Sequence, residues 1–307
     1  MYKGGNYIWH NGKVVNWEDA KVHVLSHALH YGSSVFEGIR LYNTPVGPKI
    51  FRLTDHIERL YNSAKIYRMQ IPFSKSELVN GCKKIIRENK LENGAYIRPI
   101  AFRGYGEIGL APKNDHQIDV SIAAWEWGTY LGEDALKNGV EVCVSSWQRV
   151  APNTIPTMAK AGGNYLSSTL ISTEAKRLGF DEGIALSTDG KVSEGAGENL
   201  FMVKNNILFT PPASAGILTG ITRDTVIELS KNLGLTIKEE EINRESLYLA
   251  DEMFFTGTAA EVTPIRSIDR IDIGDGKRGP ITEKLQERFF GLFNGNTEDS
   301  NNWLESI

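Results

Sequence analysis

The segment from 157 to 165 reads TMAKAGGNY, and its one charged side chain is that of Lys160. Alanine and glycine flank this lysine, and no carboxylate stands within several positions of it. A lysine stem among such small residues can lose its hydration, which favours the neutral amine that forms a Schiff base with a carbonyl group. From these nine residues alone, Lys160 could also be a solvated lysine in a loop. Other segments of the chain are needed to distinguish a Schiff-base lysine from a solvated one.

A second segment, SEGAGEN at 193–199, places Glu194 and Glu198 among small residues that allow a ligand to approach the backbone closely. A carboxylate that faces the nitrogen of a pyridine ring keeps that nitrogen protonated, and the ring can then accept electrons from a carbanion. Solvated charges in a turn are the alternative. The segment therefore offers a partner for a pyridine ring.

Two further segments are suited to anions. Residues 216–224, GILTGITRD, form a loop of small residues that opens into a helix, so N–H groups near Ile221 and Thr222 lie at its positive end. Thr258 and Ala259 follow the strand-like run EMFFT and offer N–H groups and a hydroxyl. With the lysine and the carboxylate, these segments match different atoms of pyridoxal 5'-phosphate (PLP) or of an amino-acid substrate.

The chain of 307 residues is long enough for two domains. We predict a small N-terminal α/β domain over 1–126, an interdomain loop over 127–135 and a larger C-terminal domain over 136–307, in an α+β or α/β fold. The N-terminal domain begins with a hairpin at Asn11-Gly12. We expect helices at 54–69, 74–89, 165–178, 222–233 and 282–293, strands at 95–103, 118–125, 140–146, 183–187 and 200–203, and a polar tail after 293 without obvious structure.

Composition bears on partners and location. The 34 Lys and Arg residues against 38 Asp and Glu residues give a net charge of −4, so a nucleic-acid partner is not expected. The N-terminal residues lack the apolar core of a signal peptide, and no stretch reaches the roughly 18 apolar residues of a membrane span. We therefore expect a cytoplasmic protein with no membrane partner. Cys82 and Cys143 stand alone in the sequence, which is typical of buried free thiols.

Two patterns suggest other chemistry. Residues 104–109, GYGEIG, satisfy GxGxxG, but the following LAPKND is a loop sequence and not the helix that a dinucleotide requires. His23, His27 and His30 could share one helix face, as in a metal site. No HExxH motif accompanies them, so we favour hydrogen-bonded structural histidines near a domain interface and expect no metal.

Several longer motifs carry a family resemblance. They are YGSSVFEGIR at 31–40, AYIRP at 95–99, AKAGGNY at 159–165, SEGAGENLF at 193–201, GITRD at 220–224 and TGTAAE at 256–261. The chain resembles the bacterial branched-chain amino-acid aminotransferases, of fold type IV among PLP enzymes, nearly end to end. The resemblance implies two mixed α/β domains with the active site at their interface. It also implies reversible transamination of L-leucine, L-isoleucine and L-valine with 2-oxoglutarate, giving branched 2-oxo acids and L-glutamate in the last step of branched-chain amino-acid biosynthesis.

The resemblance also implies residue roles. Lys160 would bind PLP covalently and act as the acid and base of catalysis, Tyr165 would hydrogen bond to the phenolic oxygen, and Glu194 would pair with the ring nitrogen. Leu218 would pack on the ring, and the phosphate would be bound by Arg59, Ile221, Thr222 and Thr258. Thr258 and Ala259 would bind the substrate α-carboxylate, and the remaining substrate residues would be Phe36, Tyr31, Tyr96, Arg98, Trp127 and Tyr130.

One pair of these residues has a direct physical interpretation. Tyr96 and Arg98 are two apart and share a face if they lie on a strand. A guanidinium can bind the distal carboxylate of glutamate through two hydrogen bonds, yet leave room for an aliphatic side chain. We expect one pocket to accept both kinds of substrate.

Other functions stay open at this point. D-amino-acid aminotransferase and aminodeoxychorismate lyase share the lysine and glutamate chemistry, and substrate specificity depends on few residues. From other classes, an NAD-dependent oxidoreductase, a metallohydrolase and a PLP carrier without activity are weaker alternatives. The resemblance further suggests a homodimer or a trimer of dimers, with residues such as Tyr31 near a neighbouring subunit's site.

Overall fold

The computed structural model describes residues 4–113, 116–128 and 132–307, except for the side chain of Glu133. The chain folds into two compact units. The first unit comprises Met1–Gly128, Ala159–Gly163 and Asp299–Ile307, and the second comprises Thr129–Met158 and Asn164–Glu298. In the part of the chain that is described, no helix combines the length and the apolar character needed to cross a membrane.

The first unit contains an antiparallel sheet, a short 3-10 helix at Trp17–Asp19 and helices α1 (His27–Tyr31), α2 (Leu53–Ile66) and α3 (Lys75–Asn89). Its strands are β1 (Tyr7–His10), β2 (Lys13–Asn16), β3 (Ser34–Phe36), β4 (Ile39–Thr44), β5 (Gly47–Phe51), β6 (Ala95–Arg103), β7 (Ile118–Trp125) and β17 (Leu304–Ser306). Their order is β17-β5-β4-β6-β7-β1-β2, and β3 pairs with β6.

Local sequence signals account for much of this unit. Asn11 and Gly12 adopt φ values of 46° and 87° in the turn of the β1-β2 hairpin, as their residue types predicted. Ser74 begins α3 with a capping box, in which its hydroxyl accepts from the Glu77 N–H and the Glu77 carboxylate accepts from the Ser74 N–H. Apolar residues of α2 and α3, such as Ile57, join the same core as the sheet.

The second unit contains a mixed sheet with helices α4 (Glu133–Asn138), α5 (Tyr165–Arg177), α6 (Ile221–Asn232), α7 (Arg244–Leu247) and α8 (Pro280–Asn294), and 3-10 turns at Gly162–Asn164 and Ala213–Ala215. Of these 3-10 turns, Gly162–Asn164 begins in the 159–163 segment of the first unit, and only Asn164 belongs to the second. The strands of the second unit are β8 (Val140–Val144), β9 (Glu182–Leu186), β10 (Val192–Gly195), β11 (Asn199–Lys204), β12 (Ile207–Thr210), β13 (Thr236–Glu239), β14 (Glu252–Gly257), β15 (Glu261–Ile268) and β16 (Ile271–Asp272). Their order is β10-β9-β8-β15-β14-β11-β12-β13, and β16 pairs with β15.

A buried carboxylate anchors α8 to this second sheet. Glu252, at the start of β14, accepts hydrogen bonds from the backbone N–H groups of Ile281 and Thr282 at 2.9 and 2.7 Å. Pro280 occupies the first helical turn, where its missing N–H costs nothing. The negative charge therefore lies at the positive end of the helix, which stabilises the packing of α8 on β14.

The mixed α+β fold with two units confirms the predicted fold class, but the prediction for the C-terminal tail is wrong. Leu304–Ser306 is a strand that pairs with β5, and the Arg52 guanidinium lies 5.3 Å from the Trp303 ring centroid. The Glu305 carboxylate accepts from the N–H and hydroxyl of Thr54 in the first turn of α2. No local pattern could reveal this strand, because its partners lie about 250 positions earlier.

The predicted domain bounds also differ from the two units. The C-terminal domain was expected over 136–307, but residues 159–163 pack with the first unit because Ala161 bridges to Val35 of β3. The tail belongs to the first unit through its pairing with β5. The expected interdomain loop, 127–135, already contains the start of α4 at Glu133.

Candidate active site

Lys160 is fixed to the first unit through its own backbone. Its N–H donates to the Ser63 hydroxyl of α2 at 3.0 Å, and its carbonyl accepts from the Phe36 N–H at 3.0 Å. The next residue, Ala161, forms an antiparallel bridge with Val35. The segment is therefore held between β3 and α2, and its amine lies 5.1 Å from the centroid of the Phe36 ring.

The small neighbours of Lys160 have a packing role that the sequence did not reveal. A Cβ at Gly162 would lie 2.3 Å from the Ser34 hydroxyl, and a Cβ at Gly32 would lie 3.2 Å from Gly163. Ala159 and Ala161 are almost fully buried. Glycine and alanine thus let the lysine segment lie close against β3 and the residues before it.

Glu37, His56 and Arg59 form a buried cluster beside this segment, which we call the first-unit cluster. Arg59 pairs side-on with the Glu37 carboxylate, with Nε and Nη2 at 2.7 and 2.8 Å from its two oxygens. His56 Nδ1 lies 2.7 Å from the same carboxylate. The Glu37 side chain is inaccessible to solvent, whereas that of Arg59 is 13% exposed.

Burial and charge act against each other in this cluster. Burial alone would raise the pKa of Glu37, but the Arg59 charge and the hydrogen bonds from Arg59 and His56 hold that pKa well below its usual range. Burial lowers the pKa of His56 despite its contact with Glu37. The cluster therefore contains an ionised carboxylate, a guanidinium and a neutral imidazole that donates through Nδ1.

Four of the expected substrate residues come together in the first unit. The Arg98 guanidinium lies 4.8 Å from the Phe36 ring centroid and 5.2 Å from that of Tyr96, and its Nη2 donates to the Tyr96 hydroxyl at 3.1 Å. The Trp127 ring meets Tyr96 edge-on at 4.2 Å. The Nε atom of Arg98 is buried with no hydrogen-bond partner among the described residues, as is expected of a donor that binds a ligand.

A glycine that the sequence did not single out shapes this pocket. A Cβ at Gly38 would lie 1.8 Å from the Tyr96 hydroxyl, so only glycine allows Tyr96 its position.

Two further residues, Tyr31 and Tyr130, were also expected to bind substrate. Tyr31 ends α1, is 41% exposed and makes its ring contacts with His27 and His30. Tyr130 lies outside the described residues.

In the second unit, Glu194 is a buried carboxylate at the end of β10. One of its oxygens lies 2.8 Å from Nη2 of Arg149. The other accepts from the Asn199 side-chain amide at 3.0 Å and from the Leu218 N–H at 3.1 Å. The Asn199 amide also donates to the Leu218 carbonyl. The carboxylate is thus fixed to the loop before α6 by the Leu218 N–H and through Asn199, and it is paired with Arg149. Neither Arg149 nor Asn199 was predicted from the sequence.

That loop leads directly into the expected phosphate site. Ile221 and Thr222 are the first two residues of α6, and Gly220 precedes them with no side chain to cap the helix. A Cβ at Gly220 would lie 2.0 Å from the Asn199 side-chain oxygen. The first turn of α6 is therefore suited to an anion.

The remaining expected cofactor and substrate residues also lie in the second unit. Tyr165 is the first residue of α5 and lines a cavity of about 300 Å³ together with Ala196 and Gly197 of the loop after Glu194. Thr258 and Ala259 form the turn between β14 and β15. A Cβ at Gly257, which precedes the turn, would lie 3.6 Å from the Gly197 carbonyl, so the turn adjoins that loop.

In the described part of the chain, neither the GxGxxG motif nor the histidine group has the structure that dinucleotide binding or metal binding requires. In the GYGEIG region, residues 104–113 are loop, so the helix of a dinucleotide site does not follow the glycines. His27 hydrogen bonds with the Ser33 hydroxyl and the Gly109 carbonyl, and His30 with the Val24 carbonyl. Both cysteines are buried free thiols, as predicted.

Each unit, taken by itself, contains groups of the kind that bind PLP. The first unit supplies a primary amine on a rigid segment, and the second supplies a buried carboxylate with fixed orientation for a ring nitrogen. The start of α6 provides an anion site after a glycine N-cap. Amine, carboxylate and anion site are the donor set that a pyridine aldehyde with a phosphate group requires.

Comparisons with known proteins agree with this chemistry. Residues 34–268 match the family described as amino-transferase class IV. The branched-chain-amino-acid aminotransferase of Escherichia coli (strain K12) is 56% identical, over 99% of this chain and 98% of its own. The corresponding protein of Pseudomonas aeruginosa is 48% identical over 96% and 95%.

Solved structures show the same likeness. The crystal structure of the Escherichia coli branched-chain amino acid aminotransferase has a TM-score of 0.97 at 56% identity, and covers 98% of this chain and 99% of its own. The branched-chain amino acid aminotransferase from Thermobaculum terrenum, solved in its PLP-form, has a TM-score of 0.89 at 36% identity and covers 98% of this chain and 97% of its own. The chain therefore belongs to the class IV aminotransferases and, within them, to the branched-chain-amino-acid aminotransferases.

Proposed function

We propose that this enzyme transfers the amino group of L-leucine, L-isoleucine or L-valine to 2-oxoglutarate, reversibly, with PLP as its cofactor. One observation carries the substrate assignment. The Lys160 amine and the Arg98 guanidinium both lie about 5 Å from the Phe36 ring, at 5.1 and 4.8 Å. A reactive amine and a carboxylate-binding group thus border the same aromatic surface, which suits an aliphatic side chain and also the longer, charged side chain of glutamate.

The cofactor roles follow the chemistry of each side chain. When bound, PLP supplies a carbonyl that links to amines and a ring that accepts electrons. The Lys160 amine would hold PLP covalently, and it would also move the proton of the substrate Cα as the acid and base of catalysis. Glu194 keeps the ring nitrogen protonated, Tyr165 hydrogen bonds to the phenolic oxygen, and Leu218 packs on the ring.

The remaining residues bind the charged groups and the substrate side chain. Arg59, Ile221, Thr222 and Thr258 bind the phosphate. Thr258 and Ala259 bind the α-carboxylate through their N–H groups. Phe36, Tyr96 and Trp127 contact the aliphatic side chain, and Arg98 binds the distal carboxylate of glutamate. Tyr31 and Tyr130 belong to this proposal through the family resemblance.

A lysine substitution tests the covalent role. Lys160→Ala removes the amine, so we expect no visible absorbance band of protein-linked PLP and no steady-state turnover. Lys84→Ala, on the exposed face of α3, is the matched control and keeps both. Turnover by the Lys160→Ala enzyme at the rate of the control contradicts the assignment.

A substrate panel tests the specificity. Purified enzyme is assayed with L- and D-amino acids and 2-oxoglutarate, and we expect the highest kcat/KM with L-leucine, L-isoleucine and L-valine. Preference for D-amino acids identifies a D-amino-acid aminotransferase instead. Arg98→Ala lowers turnover with glutamate far more than with leucine; an equal loss with both contradicts its dual role.

We further propose that the protein forms a homodimer or a trimer of dimers, and that it acts in the cytoplasm. Support for assembly comes from an apolar surface of the first unit, where Val24, Leu29 and Leu110 are 70%, 62% and 87% exposed. These residues lie on neighbouring segments, because His27 hydrogen bonds to the Gly109 carbonyl. Exposed apolar surface of this kind marks interfaces. Light scattering after size exclusion gives the subunit number, and Val24→Asp is expected to reduce it.

A further inference from the structure

We propose that Glu37 and His56 are positioning residues, which hold the guanidinium of Arg59 in the orientation that binds the cofactor phosphate. The inference rests on the phosphate role proposed above for Arg59. It concerns two residues that have no assigned role in the sequence motifs of the site, and it follows from the geometry of the first-unit cluster.

Glu37 controls the plane of the guanidinium. A free arginine side chain samples many rotamers, and this freedom must be lost before the guanidinium can bind a phosphate in one geometry. The side-on contact uses Nε and Nη2 at 2.7 and 2.8 Å, and two parallel hydrogen bonds define a plane where one does not. Glu37 itself is fixed, because its N–H donates to the Pro99 carbonyl and its side chain is fully buried.

His56 holds the carboxylate without changing the charge of the cluster. Its Nδ1 reaches one oxygen of Glu37 at 2.7 Å, and it precedes Arg59 by three positions on the same face of α2. Because the buried imidazole is neutral, the cluster pairs one negative with one positive charge. A second cation in place of His56 would compete with Arg59 for the same carboxylate.

The exposure of the three side chains indicates a function beyond stability. Buried ion pairs are costly to desolvate and often can be replaced by apolar residues without loss of stability. Here the carboxylate and imidazole are 0% and 1% exposed, whereas Arg59 is 13% exposed, so the accessible member is the guanidinium. One turn after Arg59, Ser63 accepts the N–H of Lys160, so one face of α2 supports both groups.

The test separates phosphate binding from general integrity. Apoenzyme is titrated with PLP and with pyridoxal, which lacks the phosphate, and the ratio of the two dissociation constants is measured. Arg59→Ala gives the change in this ratio that complete loss of the guanidinium causes, and the other variants are compared with it. We expect Glu37→Gln to reduce the preference for PLP on the order of 10- to 100-fold, the value of one charge-assisted contact. The same change at Glu58, an exposed residue of α2 paired with Lys75, is the matched control and leaves the ratio unchanged.

His56 is tested with two variants. His56→Leu removes the donor and is expected to lower the preference for PLP several-fold. His56→Asn keeps an N–H near the position of Nδ1 and is expected to restore most of it. In the Arg59→Ala background, Glu37→Gln should have no further effect on the ratio, because there is no guanidinium left to orient.

Each outcome decides a separate point. If Arg59→Ala leaves the ratio unchanged, the phosphate role of Arg59 is wrong and the proposed function loses that part. If Arg59→Ala lowers the ratio but Glu37→Gln weakens PLP and pyridoxal equally, Glu37 is only structural and the positioning inference is overturned. Loss of the preference in Glu37→Gln, and its recovery in His56→Asn relative to His56→Leu, supports the inference.

Discussion

The two units each bury a carboxylate beside an arginine, but the two pairs are built in opposite ways. Glu37 uses both oxygens on Arg59 and receives its third hydrogen bond from the same helix, α2. Glu194 meets Arg149 with one oxygen and holds neutral amides of two other segments with the other. In the first pair the carboxylate holds the arginine, whereas in the second the arginine and the amides hold the carboxylate. Two ion pairs of the same composition thus differ in function: the oriented group is the Arg59 cation in the first unit and the Glu194 anion in the second.

The largest effect is expected at Glu194, the carboxylate proposed to act on the PLP ring. In the proposed function its charge keeps the ring nitrogen protonated, so Glu194→Gln should lower kcat on the order of 10²- to 10⁴-fold. The dissociation constant of PLP should change much less. Glu198→Gln, in the same loop, is the comparison variant, and a similar loss of kcat there would mean that the loop and not the Glu194 charge is responsible.

Removal of Arg149 tests the other member of that pair. Arg149→Gln leaves Glu194 buried with its charge uncompensated, which should lower the free energy of unfolding by about 3–5 kcal/mol. Denaturant unfolding measures the loss. The double variant Arg149→Gln with Glu194→Gln should recover much of it, and failure to recover would show that Arg149 stabilises the unit through contacts other than this charge.

The first-unit cluster should make stability depend on pH. Burial lowers the pKa of His56 from 6.5 on folding, so as the pH falls below 6.5 the unfolded chain takes up the His56 proton before the folded chain does. The free energy of unfolding therefore decreases as the pH decreases. The lowered pKa of Glu37 adds to the loss as the pH falls below 4.5. Between pH 7 and 5 the His56→Asn variant should show a flatter curve than the parent; identical curves would contradict the neutral state of His56.

The smallest expected effect concerns the support of α2. Glu305 accepts from the N–H and the hydroxyl of Thr54 in the first turn of this helix. Glu305→Ala should cost about 1 kcal/mol of unfolding free energy, the value of one helix cap. Glu88→Ala, on the exposed face of α3, provides the control. An equal change in both would mean that the cap contributes nothing.

The elements that the sequence predicted well depend on local signals. The capping box at Ser74, the Asn11-Gly12 turn and the strands 95–103 and 118–125 are each specified by residues within a few positions. The strand at 304–306 was missed, because its partners lie at the other end of the chain. The same limit applies to residues 159–163, whose attachment to β3 requires a bridge across more than a hundred positions.

The candidate site shows the same difference between features that local sequence signals specify and features that depend on contacts between distant segments. Motifs and family resemblance predicted Phe36, Tyr96, Arg98 and Trp127, and the structure brings them together. Glu37 and His56 were missed, although His56 and Arg59 share the helical i, i+3 spacing, because the position of Glu37 beside that helix is a tertiary fact. The role of Gly38 was equally invisible, since it depends on where the Tyr96 hydroxyl lies.

The strand at Leu304–Ser306 also affects the order in which this protein can assemble during synthesis. Domains made early on the ribosome usually fold before the later ones. Here the edge strand of the first sheet and the cap of α2 are translated only after the whole second unit. The helix that carries His56 and Arg59 therefore gains its final support after the second unit has emerged, so the first unit to begin folding is the last to be completed.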